Sequence, residues 1–228
     1  MLIPAQDRAP IHVVVENASL LELVDLESKR DSVSYIVDNC QTALQCRTRE
    51  ELWTYIIETS IDKLKGDAVI LEFGVWKGVS VNFFAFKLPH TDIYGFDSFE
   101  GLEEDWYGHH RKKGFLNLDG IMPKVHPNVK LIKGWFEETV PAFLETFLNR
   151  EVAIVHLDAD TYKPTAYVLT KINHLLRKGV IVIFDEYFGF SSWRLHEFRA
   201  WQEFVKKNNI SYRYLAYSNH GQVAIEVL

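Results

Sequence analysis

Five short runs of β-branched and aromatic residues, at 68–75, 92–98, 129–136, 152–160 and 180–186, constrain this chain more than any other feature. Each run is nearly continuously apolar. A strand with one wet face alternates polar and apolar residues, whereas a strand covered on both faces has no reason to alternate. Stretches with helical periodicity, at 78–88, 139–147 and 165–177, fill the gaps between runs. That order predicts an α/β fold, a doubly wound, mostly parallel sheet with crossover helices on both sides. After the fifth run come a helix at 195–208 and two more strands, 211–218 and 222–228, joined by Asn219-His220-Gly221. A turn that short permits only an antiparallel pair. The expectation is therefore a seven-stranded sheet closed by a C-terminal antiparallel hairpin.

The first 66 residues read differently. Ser19 precedes an apolar-periodic run, and Thr48-x-x-Glu51 has the form of a capping box ahead of Leu52, Trp53, Ile56 and Ile57. Residues 17–66 are predicted helical, ending at Lys65-Gly66. The whole of 1–228 is read as one domain, with 1–66 a helical N-terminal extension or cap and 67–228 the ligand-binding core. No apolar run approaches the ~18 residues a membrane span requires, and the N-terminus lacks the basic and apolar regions of a secretory leader. Cys40 and Cys46, the two cysteines, fall in the helical segment and read as small buried apolar residues. A cytoplasmic address follows by default. A net charge of −6 argues against a nucleic-acid partner, which is held largely by Lys and Arg. The basic cluster Arg111-Lys112-Lys113 lies in a long linker, 101–127, that also carries Trp106, Tyr107, Phe115 and Met122. Linkers of that length inside compact domains serve as lids or binding loops. Assembly as a homo-oligomer is left open.

The first strand runs into Glu72-x-Gly74-x-x-x-Gly78, at the turn where an open α/β sheet binds its ligand. Glycines there let a ligand approach the backbone, and the helix that follows presents free N–H groups. A dinucleotide fingerprint would have three glycines in Gly-x-Gly-x-x-Gly spacing. Here one glycine is missing and an acid stands inside the strand, which suits a cationic ligand better than a diphosphate. S-adenosylmethionine carries an ammonium and a sulfonium. The next strand ends in Asp97-Ser98, placed to accept the hydroxyl hydrogens of a ribose, and Trp135-Phe136 after the third strand is placed to flank an adenine or to cover the sheet.

Taken together, Leu71–Ser80, Phe96-Asp-Ser-Phe-Glu-Gly-Leu102, Gly134-Trp-Phe-Glu-Glu-Thr-Val-Pro141, Leu157-Asp-Ala-Asp-Thr-Tyr162 and Phe184-Asp-Glu-Tyr187 resemble the macrocin O-methyltransferase-like family. These are class I, Rossmann-like enzymes that methylate sugar hydroxyls on natural products. The resemblance covers about residues 65–228. It implies S-adenosylmethionine as cofactor, with Glu72, Gly74, Asp97 and the residues near Trp135 as its contacts, and it transfers no particular acceptor; Gly78, Ser80, Ser98, Phe136 and Asp158 complete the expected cofactor set.

The fourth and fifth strands end in Asp158-Ala-Asp160 and Asp185-Glu186. Residues i and i+2 of a strand share a face, and four converging acids repel one another unless a cation or proton sits among them. Oxygen-only ligands suit a hard ion such as Mg²⁺. The resemblance to this family, and to the catechol and caffeoyl-coenzyme A methyltransferases, implies Asp158, Asp185 and Glu186 as metal ligands and Asp160 as a neighbour or base. Glu186 departs from that pattern, where Asp or Asn is usual. Without a metal, the same acids would cap helices and hold the cofactor's amino group. His156, inside a strand, reads as a core histidine. His109, His110 and His196 become candidate bases only if the loop or the late helix folds over the site. The function expected is transfer of a methyl group to a hydroxyl of a small-molecule acceptor, Asp158 and Asp160 being the catalytic candidates. The alternatives are a metal-independent N- or O-methyltransferase, a nicotinamide-dependent oxidoreductase and a non-catalytic binding module.

Overall fold

A computed structural model describes residues 18–64, 66–147 and 150–228. The N-terminal stretch read above for a leader, and Lys65 of the expected helix stop, lie outside them. The elements follow in the order α1 (Leu20–Asn39), β1 (Leu44–Cys46), α2 (Arg49–Thr59), α3 (Ile61–Leu64), β2 (Val69–Phe73), α4 (Val79–Lys87), β3 (Ile93–Asp97), β4 (Val129–Lys133), α5 (Phe136–Thr146), β5 (Val152–Leu157), α6 (Tyr162–Ile172), β6 (Ile181–Phe184), α7 (Glu197–Asn208), β7 (Tyr212–Ser218) and β8 (Val223–Val227). They build one sheet in the order β1-β7-β8-β6-β5-β2-β3-β4. Strands β2 to β6 are mutually parallel, and β8 runs antiparallel to both β6 and β7. The mostly parallel sheet and its C-terminal hairpin are thus as the sequence predicted.

The continuous apolar runs have a simple cause. Successive side chains of a strand point to opposite faces. Ile70, Ile154 and Ile183 pack into one layer with α2 and α4, while their neighbours Leu71, Val155 and Val182 pack into the other with α6 and α7. All six are inaccessible to solvent. Each such side chain contributes about 1.5–3 kcal/mol of apolar burial, which is why both faces tolerate so little polarity.

Two features differ from expectation. The N-terminal segment is not helical throughout: α1, capped by Ser19 and Glu22 in a reciprocal box, ends at Cys40, and β1 follows. Leu44 to Cys46 pair in parallel with Ala216 to Ser218, adding an eighth strand at the edge. Three residues are too few to show a period of two, so nothing in the sequence separates β1 from its helical surroundings. Thr48 then caps α2, its hydroxyl accepting the Glu51 N–H at 3.2 Å. The two cysteines fall outside the helices proper, both buried and unbridged, and burial pushes the Cys40 thiol up to about 12. The parallel strands are also shorter than their apolar runs. They stop at Phe73, Asp97, Lys133, Leu157 and Phe184, so Phe136 opens α5 instead of closing β4, and the acids of interest stand beyond the strand ends.

Candidate active site

The chain leaving β2 turns sharply at Gly74, whose φ is +95°. A Cβ there would overlap the backbone carbonyl of Asp158, so only glycine fits. The turn is tied down by the Gly74 N–H to the Phe96 carbonyl at 2.9 Å and the Asp158 N–H to the Phe73 carbonyl at 2.8 Å. Asp97 braces it from the next strand: Oδ2 accepts the N–H groups of Val75 at 2.8 Å and Trp76 at 2.7 Å, and Oδ1 accepts that of Phe99 at 2.6 Å. A carboxylate offers about four lone-pair positions, so three backbone donors leave room for one more hydrogen bond.

Beyond these strand ends lies a cavity of about 400 Å³, within the size range of small-molecule sites. Gly74, Asp97 and Ser98 form one part of its lining, Trp135 and Phe136 another, and Asp158, Asp160, Asp185 and Glu186 a third. The long 101–127 loop supplies the facing wall through Leu102, Arg111, Phe115 and Leu116.

Three of the expected cofactor contacts need correction. Glu72 is wholly buried under α4, where its carboxylate accepts the Ser80 hydroxyl at 2.8 Å and faces His156 Nδ1 at 3.1 Å. Side-chain alternation along β2 turns Glu72 away from the strand end, and Ser80 in the first turn of α4 follows it inward. Gly78, with φ +75°, packs against Pro123 and Asn82. None of the three is among the residues lining the cavity.

The acids do converge, though not for the reason expected. Asp158 and Asp160 lie past the end of β5, and Asp160 adopts φ +61°, so it is the turn and not strand alternation that brings them together. Oxygens of Asp158, Asp160 and Glu186 lie within 4.8 Å of one another; a second group, under the same limit, joins Asp158 and Asp185 to His156. Desolvation, reinforced by the neighbouring carboxylates, holds Asp158 and Glu186 well above the ordinary carboxyl range and raises Asp160 to about 7. One oxygen each of Asp185 and Glu186 is buried without a hydrogen-bond partner, a costly arrangement that a cation would relieve.

His156 is a buried histidine, but an ionic one. Burial alone would push its pKa down; the flanking Asp185 and Glu72 carboxylates outweigh that and hold it well above the ordinary value. Its Nε2 stands 3.8 Å from Asp185 Oδ1, an ion pair and not a hydrogen bond. Asp158, Asp160 and Glu186 form the oxygen-only group, the chemistry a hard cation prefers, and among the described residues the expected trio of Asp158, Asp185 and Glu186 does not come together as one group.

Glu197 carries no signal in the sequence. Wholly buried at the start of α7, it accepts the Ala159 N–H at 3.3 Å and the Glu186 N–H at 3.0 Å. One side chain thus fastens both acid-bearing loops, and desolvation raises its carboxyl to about 8. Arg49, at the start of α2, is a second unforeseen residue, lining the same cavity. Only tertiary structure brings either of them here. None of His109, His110 and His196 is among the residues lining the cavity; His196 is buried with Nε2 against the Tyr107 carbonyl at 2.9 Å, and burial lowers its pKa. It pins the loop. Trp106, 3% exposed, packs beside it against Phe190.

A glycine turn, a strand-end aspartate and an acid cluster on a mostly parallel sheet with an antiparallel C-terminal pair define the class I methyltransferase fold. Residues 71–187 match the family model described as a methyltransferase domain, and the chain belongs to that family. Mycinamicin III 3″-O-methyltransferase of Micromonospora griseorubida is 25% identical over 158 residues, covering 58% of this chain and 60% of that protein. The chain thus spans less than two thirds of this curated relative. Among solved structures, the calicheamicin methyltransferase CalS11 superposes with a TM-score of 0.61 at 22% identity, covering 96% of this chain and 98% of that one. The O-methyltransferase NovP does so with a TM-score of 0.59 at 20% identity, covering 78% of each chain. At these identities the two structures speak for the fold. No helix among the described residues is long and apolar enough to cross a membrane.

Proposed function

We propose that this protein transfers the methyl group of S-adenosylmethionine to a hydroxyl of a sugar-bearing natural product. The observation that carries the reading is the meeting, in one cavity, of the Gly74 turn braced by Asp97 with the carboxylates of Asp158, Asp160 and Glu186. The turn leaves backbone open to the cofactor, Asp97 retains one acceptor position for its ribose, and Trp135 and Phe136 offer apolar surface for its adenine. The acids receive its positive charge. That charge disfavours a nicotinamide dinucleotide, whose diphosphate would meet the same carboxylates. The acceptor class follows the mycinamicin relative, whose name places its methyl group on the 3″ oxygen of a natural product, together with the family resemblance.

Asp160 is the group we assign to proton removal. Raised to about 7, it accepts a proton near neutral pH, where a general base is most effective. The acceptor oxygen attacks the sulfonium methyl carbon, the C–S bond breaks as the O–C bond forms, the hydroxyl proton passes to the carboxylate, and S-adenosylhomocysteine leaves. Holding the two reactants in line supplies much of the acceleration. In a metal-assisted form of the reaction, Asp158, Asp160 and Glu186 would hold one Mg²⁺, and Asp160, once ligated, would no longer serve as the base. Bound there, it would supply Lewis acidity that lowers the pKa of an acceptor hydroxyl. Loop 101–127 lines the cavity through Leu102, Arg111, Phe115 and Leu116, where it would contact the acceptor.

The test is transfer of labelled methyl from S-adenosylmethionine to a panel of deoxysugar-bearing macrolides. Methylation of a sugar hydroxyl, lost in Asp160→Asn, supports the reading; methylation confined to nitrogen acceptors overturns it. Suppression by EDTA and recovery with Mg²⁺ supports the metal, and full turnover in excess chelator excludes it.

A further inference from the structure

The cofactor assigned above carries a carboxylate as well as two positive centres, and the acid-rich cavity offers that carboxylate very little. Asp158, Asp160, Asp185 and Glu186 would repel it. Among the described residues, two cationic side chains line the cavity, Arg49 and Arg111. Arg111 sits on the loop, its guanidinium 4.8 Å from the Trp106 ring centre and 5.1 Å from that of Phe115. Its field acts on Asp160, lowering that carboxyl against the general upward trend, so it already serves as counter-charge on the acceptor side.

Arg49 is placed otherwise. It opens α2, and its guanidinium carbon lies 5.2 Å from the ring centre of Trp53. Trp53 is 1% exposed and packs against Phe83 and Phe84 of α4, the helix that begins at the glycine turn. The Arg49 side chain is thereby held next to the turn. Its hydrogen bond to Glu50, at 3.2 Å, uses Nε alone. A guanidinium stacked on an indole and fixed through Nε presents its two terminal nitrogens as a ready fork, the geometry that takes a carboxylate through two parallel hydrogen bonds.

We infer that Arg49 binds the carboxylate of the cofactor's methionine moiety, at the end of the cavity away from the adenine. The inference rests on the methyltransferase reading and adds to it a recognition residue from outside the glycine-turn core. It makes the N-terminal helices part of the cofactor site and not only a cap over it.

Two ligands isolate the contact. S-adenosylhomocysteine has the amino-acid moiety; 5′-methylthioadenosine has the same adenosine and thioether but no carboxylate. Both are titrated calorimetrically into the wild type, Arg49→Gln, Arg49→Lys and Arg111→Gln. Arg49→Gln is expected to weaken S-adenosylhomocysteine by about 10- to 100-fold, the range for a charge-assisted contact, and to leave 5′-methylthioadenosine within about twofold. Arg49→Lys, which keeps the charge without the fork, should fall between, and Arg111→Gln, which removes a charge on the acceptor side, should not discriminate between the two ligands. Retained methylthioadenosine binding also shows that the variant is folded. Equal loss of both ligands, unchanged S-adenosylhomocysteine binding, or a selective loss appearing in Arg111→Gln instead would each overturn the inference. A wild type that binds neither ligand would sink the methyltransferase reading itself, a separate outcome.

Discussion

Glu197 accepts the backbone N–H of Glu186 at 3.0 Å, and its other oxygen takes the N–H of Ala159 at 3.3 Å. Helix α7 therefore positions the acid cluster without contributing a group to the cavity wall. Removing the carboxyl group in Glu197→Ala strands two backbone donors, each costing about 1–3 kcal/mol where it is buried. The expected result is a loss of about 2–4 kcal/mol in urea unfolding together with a large fall in turnover. Glu197→Gln keeps one acceptor and should recover part of both. If Glu197→Ala unfolded like wild type, the link between α7 and the acids would be wrong.

Gly74 is the position least able to change. Gly74→Ala must relieve an overlap with the Asp158 carbonyl and adopt a φ of +95°; strain at such a backbone position alone costs on the order of 1–3 kcal/mol. We expect at least about 2 kcal/mol of destabilisation, read from the denaturant midpoint. A variant of wild-type stability would mean that the turn relaxes at no cost.

Asp97 holds the turn through three backbone donors, so the effect of replacing it should exceed that of losing a ribose contact alone. Asp97→Ala should lower both stability and S-adenosylhomocysteine affinity, the latter by roughly tenfold or more. Asp97→Asn, which keeps one oxygen, should be milder on both counts. Loss of affinity at unchanged stability would show that the brace matters less than the ligand contact.

The loop from 101 to 127 is fastened at its far end by Trp106, His196 and Ser192, whose hydroxyl donates to the Tyr107 carbonyl at 2.7 Å. Trp106→Ala should free it, opening it to limited proteolysis and cutting turnover while S-adenosylhomocysteine affinity stays within about tenfold. Unchanged protease resistance would show that the remaining contacts suffice to close the wall.

The sheet was legible because its strands are buried on both faces, and burial leaves a composition that needs no partner to be read. Gly74 and Asp97 were legible for a related reason: a βα turn at a ligand crevice restricts both residue and spacing. Glu72 and Ser80 were misplaced because an acid beside a glycine turn looks the same in sequence whether its side chain turns toward the ligand or under the helix. The pairing of Glu72 with His156 spans 84 positions, and no local pattern carries it. Glu197 and Arg49 reach the site from elements far from the motifs, and β1 is too short to have a period. The acids were found by their spacing, yet only the turn after β5 decides that Asp160, not Asp185, joins Asp158 and Glu186 in the oxygen-only group.

Calorimetric titration of the wild type with S-adenosylhomocysteine, with NAD as the comparison, tests the cofactor assignment on which everything else depends. A single site of micromolar Kd for S-adenosylhomocysteine and no measurable heat with NAD is the expected result. Tight NAD binding with none for S-adenosylhomocysteine would contradict it outright.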